Sequence, residues 1–248
     1  MIKIKMRRKG ELTTQQLVGL IILIVSFSVI LLLLFRLNLG ETTNKEICHN
    51  SVIMKGKSIA SKFTSGPLDC KTSYLCITGG GECEGINPTV TKKVKPDNKN
   101  EIMKVIADEM ADCWRMFGEG KISYLDWKDF TGAHCAICSI IKFDKNIKEI
   151  KYEEFYDYLS NNKKDNSQTY LNYFYGNFKN INDWESFQDK NLNSGVSIID
   201  SSKKYSIATG INKGNWRNIG EAHLPVYLVE SDQIASKTYC KVFDITKA

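Results

Sequence analysis

Apolar residues are distributed along this chain in two distinct ways. From Leu17 to Phe35 there is no charge, and only Gly19, Ser26 and Ser28 interrupt the apolar run. A helix drawn through it is greasy on every face, so it lacks the one-sided stripe of a soluble helix. At ~1.5 Å per residue such a helix covers roughly 28 Å, close to the ~30 Å hydrocarbon core of a bilayer. The pattern predicts a membrane span within residues 11–37, in contact with the lipid bilayer through residues 17–35. A cleaved secretory signal is shorter and ends in a small-x-small site. Here the run is followed by "RLNLGETTNKE", which contains no alanine.

Beyond the span the pattern alternates. Residues 38–62 read as a juxtamembrane stalk or short helix, and residues 63–248 as one domain. "CKTSYLCIT" and "TVTKKVK" have strand character and are joined through "GGGECEGINP". That glycine run has the makings of an anion-binding nest. No "GKS" or "GKT" follows it, so a hairpin connection is the reading. "PDNKNEIMKVIADEMADCWRMFGEGK" is the clearest helix. Asp97, Asn98 or Asn100 serves as its N-cap, and Gly118 and Gly120 end it. Ile102, Ile106, Met110, Cys113 and Phe117 form its apolar stripe, flanked by Val105 and Trp114. "SIIKFD" reads as a strand, "KYEEFYDYLSNNKK" as a helix, and "VSIIDSSKKYSIATGI" as a hairpin around Asp200–Ser202. "HLPVYLVE" and "KTYCKVFDI" read as closing strands. The fold class expected is α+β, mostly antiparallel strands with two or more helices.

Charge then sets the orientation. The chain has 34 basic and 28 acidic residues, a net charge of +6. Five of the basic ones, Lys3, Lys5, Arg7, Arg8 and Lys9, fall in a basic tail at residues 1–10 that has no acid, leaving 29 against 28. The near-neutral remainder has no footprint for nucleic acid. The tail before the span places the N-terminus in the cytosol and the C-terminal domain outside it.

All eight cysteines lie beyond the span: Cys48, Cys70, Cys76, Cys83, Cys113, Cys135, Cys138 and Cys240. An even number on the extracytosolic side reads as a disulfide framework, with 105 pairings open. Within "HCAIC" an extended backbone would hold the Cα atoms of Cys135 and Cys138 about 10 Å apart, too far to bridge. Either "CAIC" contains a turn or the two cysteines pair with separate partners, and cross-links between elements are the reading. Two chemical readings compete with that one. Cys135 and Cys138 form a thiol-disulfide pair only if the first opens a helix. With His134 they supply three zinc ligands, one short of a structural site, and His49 and His223 are isolated.

The "RRKG" leader before the apolar helix resembles the class III signal of type IV pilins and archaellins. That resemblance implies cleavage after Gly10, with Glu11 as the first mature residue, and self-association through the retained helix. Gln15 stands where the bacterial pattern has a glutamate. "IADEMADCWRMFGEGK" and "CAICSIIKFD" resemble uncharacterised membrane-anchored proteins of small-genome archaea, a resemblance that implies the same layout and no activity.

No GxSxG or HExxH motif appears, and Glu153 and Glu154 read as a solvated helix face. Aromatics interleaved with asparagine in "YLNYFYGNFKNINDWESF" suit a core, or contacts to a surface protein or glycan ligand. The expected function is a single-pass, membrane-anchored extracytosolic module, for binding or envelope structure, without catalysis or cofactor. The alternatives are a pilin-like filament subunit and an envelope thiol oxidoreductase using Cys135 and Cys138.

Overall fold

In the computed structural model, residues 14–36, 39–57, 68–125, 132–176, 198–213, 221–234 and 240–242 are described. The chain divides into two compact units, Met1–Thr43 and Asn44–Ala248.

The first unit holds helix α1 (Thr14–Arg36), which contains the uncharged run. Its window Gln15–Leu32 is long and apolar enough to cross a membrane, and none of it is buried. The hydroxyls of Ser26 and Ser28 donate to the carbonyls of Ile22 and Ile24, one turn back. This is how a helix hides hydroxyls where no water is at hand.

Helix α2 (Leu39–Lys57) runs across the boundary between the units. From Asn44 onward its residues belong to the second unit, where Cys48 and Val52 are fully buried and Cys48 is bonded to Cys70. The segment read as a stalk or short helix thus forms a helix that also supplies core residues.

The rest of the second unit is a mixed sheet with helices on one face. Its strands are β1 (Ser73–Thr78), β2 (Val90–Lys93), β3 (Gly132–Phe143), β6 (Lys204–Lys213), β7 (Glu221–Glu230) and β8 (Cys240–Val242), in the order β2-β1-β3-β6-β7 with β8 also on β3. β1 pairs in parallel with both β2 and β3, and β8 is parallel to β3. Only β3–β6 and β6–β7 are antiparallel among the described pairs of this sheet. The α+β class holds, but the expectation of mostly antiparallel strands does not. The β1–β2 hairpin is also corrected. Residues 79–89 carry the chain back to the starting end of β1, so β2 lies parallel to it, as a crossover connection allows. Nor do the strands around Asp200–Ser202 make a hairpin. β5 (Ile198–Ile199) pairs with β4 (Ile150–Lys151) in a separate two-stranded sheet, while β6 joins the main one.

Helix α3 (Lys99–Met116) follows β2 and leads to β3. Asn98 caps it by accepting from the Glu101 amide at 3.2 Å. Gly118, Glu119 and Gly120 follow with φ of 79°, 56° and 69°, a left-handed run that ends the helix. The predicted stripe is the buried one: Ile102, Ile106, Met110, Cys113 and Phe117 join Leu75, Ile77, Ile141, Phe143, Tyr205 and Leu228 in the main core. Helices α4 (Tyr152–Asn161) and α5 (Tyr170–Tyr175) add Phe155, Leu159, Leu171 and Phe174 to the same core. A smaller cluster of Cys135, Ala208, Tyr227, Val229 and Ile234 forms separately. In β6 and β7 its members alternate with main-core residues, which places it on the opposite face of the sheet.

Candidate functional site

Strand β3 carries the "HCAIC" motif, and its geometry decides what the motif can do. Residues three apart on a strand point to opposite faces. Cys135 accordingly sits in the smaller cluster, while Cys138 faces α3 and is bonded to Cys113, Cα–Cα 5.6 Å. Cys135 is disulfide-bonded as well. Both are buried, at 0% and 3% exposure. Thiol exchange needs two sulfurs that reach each other and an approaching thiol. In this structure the two sulfurs face opposite sides of β3, and that of Cys138 is held by Cys113. His134 is buried on the same strand, His49 lies on α2 and His223 on β7, so the three histidines stand on separate elements. Among the described residues no three His, Cys, Asp or Glu side chains gather as metal ligands would.

Six of the sequence's cysteines form three bridges: Cys48–Cys70, Cys76–Cys83 and Cys113–Cys138. Cys113–Cys138 joins α3 to β3, Cys48–Cys70 ties α2 to the segment before β1, and Cys76–Cys83 ties β1 to the loop that follows it. The β8 backbone brings Cys240 opposite Ala133, two residues from Cys135.

Register also explains a polar cluster beside the Cys113–Cys138 bridge. The β3–β6 pairing shifts between Ile137 and Ser139, making Cys138 an extra, bulged residue. A bulge lets neighbouring side chains share a face. Cys138 reaches Cys113 and the next residue, Ser139, reaches Glu109 on α3. Ser73, the partner of Ser139 across β1–β3, lies 2.8 Å from it and 3.2 Å from Glu109 Oε1. The other carboxylate oxygen of Glu109 accepts from Lys45 Nζ of α2 at 2.9 Å, and Lys45 bonds Asp112 at 2.9 Å too. Arg115 pairs with Glu46 at 2.8 Å alongside.

A hydroxyl held by a carboxylate is how a base-activated nucleophile begins. In this cluster the carboxylate is committed to a lysine, and Ser139 is fully buried. The arrangement sets Lys45 between two carboxylates and joins α2, α3, β1 and β3. Sequence reading missed it, although a signal was present. Glu109 stands three residues after Ile106 and four before Cys113, an acid within the apolar stripe.

The glycine run does form an anion nest, and the anion is the protein's own. Asp144, directly after β3, accepts through Oδ2 from Thr78 Oγ1 (2.8 Å), Gly79 N (2.9 Å) and Gly81 N (2.8 Å). Its Oδ1 accepts from Asn146 N at 2.9 Å. Burial alone would raise the Asp144 carboxyl, but the bonds from Thr78, Gly81, Asn146 and Gly79 outweigh it and hold it below the usual carboxylate range. Lys142, two residues earlier, donates to the carbonyls of Ser201 and Ser202, both at 2.8 Å. Burial lowers its ammonium pKa, and the charge of Lys204 adds to the effect.

Core packing wins for the aromatic segment as far as it is described. Tyr170, Leu171 and Phe174 are buried, Tyr170 donates to Asp108, and Tyr173 donates to Glu119 at 2.8 Å. Tyr175 donates to the Val226 carbonyl of β7 at 2.6 Å. The remainder of that segment lies outside the described residues, as do Gly10 and Glu11. Glu153 is exposed, and Glu154 is half-buried, bonding Lys99 at 2.7 Å and the Lys151 amide at 3.2 Å. That fits a solvated helix face. Compared with family models, curated proteins and solved structures, the chain matches none.

Proposed function

We propose that this chain is a single-pass membrane protein. Its basic tail is cytosolic, α1 lies in the bilayer, and the second unit stands outside the cytosol as a binding or envelope-structural module rather than a catalyst. The observation that carries the reading is an asymmetry in cysteine use. The first unit has no cysteine, whereas all seven cysteines whose side chains are described in the second are oxidised to disulfides. Disulfides persist where thiol reductants are absent. The self-closed polar clusters around Glu109 and Asp144 support a scaffold over a reaction centre. A surface protein or glycan is the class of partner such a module would take.

Protease added to intact cells tests the topology. Digestion of the second unit, with α1 left in the membrane, is expected. An undigested chain whose cysteines react with a cytosolic thiol reagent would overturn the reading. A pilin-like subunit is the second reading, favoured by how closely α1, beginning at Thr14, follows the "RRKG" sequence. The mass of the native N-terminus separates the two, since a chain starting at Glu11 supports the subunit and an intact Met1 removes it.

A further inference from the structure

We draw no further inference here: the strongest candidate, the part-buried side-chain cluster of Lys45, Glu109, Asp112, Ser73 and Ser139 where α2 and α3 meet β1 and β3, is closed on itself through its own hydrogen bonds and ion pairs, and nothing among the described residues points to a ligand there.

Discussion

Helices α1 and α3 are of similar length, 23 and 18 residues, yet they solve opposite problems. No residue of the α1 window is buried, whereas ten of the eighteen residues of α3 are. Their polar groups follow suit. Ser26 and Ser28 bond back to carbonyls of their own helix, while Glu109 draws partners from α2, β1 and β3. A helix that satisfies every polar atom internally is suited to an apolar solvent. One that exports its bonding is suited to a core. The surroundings that stabilise each helix are thus written into where its few polar side chains turn.

The largest effect should come from removing residues 1–36. Membrane association should be lost entirely, and the remaining chain should appear in the soluble fraction. Its cooperative melt should stay within about 2 °C of the parent, because a 200-residue domain moves only about 2–4 °C per kcal/mol. Sedimentation without detergent and circular dichroism measure the two halves. A truncated chain that no longer melts cooperatively would break the contrast between the helices.

Single-residue changes sharpen it. Ile106 is fully buried on the inner face of α3, so Ile106→Ala should cost about 4 kcal/mol through lost burial and a cavity, lowering the melting temperature by roughly 12 °C. Leu23→Ala in α1, where the side chain is 67% exposed, should leave the melt of the second unit unchanged. Glu109→Ala should cost about 3 kcal/mol, since Lys45 loses one of two carboxylates and the two serines lose their acceptor. The double change Ser26→Ala with Ser28→Ala should have no measurable counterpart. Thermal melts of the four variants in one detergent suffice. Equal shifts for Ile106 and Leu23 would mean that α1 is a packed helix after all.

What could be read from sequence follows from the range of the interaction involved. α3 was legible because its cap and stripe are local: Asn98 bonds three residues away, and the stripe repeats every turn. The faces of Cys135 and Cys138 were legible in principle, because an odd spacing on a strand separates them. Strand direction was not. Alternation is the same in parallel and antiparallel neighbours, and the contacts from residues 78–81 to Asp144 bridge 63 to 66 positions. The polar site stood midway. Glu109 could have been singled out as an acid in an apolar stripe, but its serines and lysine come from three other elements.

The smallest measurable destabilisation predicted carries a pH signature of its own. Asp144 is 1% exposed and binds the glycine loop through Thr78, Gly79 and Gly81. In Asp144→Asn an amide group with two donors must face amide donors, so one or more of these bonds is lost. About 2 kcal/mol of destabilisation is expected at neutral pH. The Asp144 carboxyl titrates below its ordinary value in the folded chain, so the unfolded state takes up its proton first as the solution is acidified. Its stabilisation is complete above the unfolded value near ~3.9 and drains as pH falls through the folded one. The gap between wild type and Asp144→Asn should therefore hold from pH 7 down to about 4 and close below it. Denaturant melts of both chains at a series of pH values measure that gap. A constant gap down to about pH 2 would mean that the amide fails for its shape, and that the charge on Asp144 is not what the nest holds.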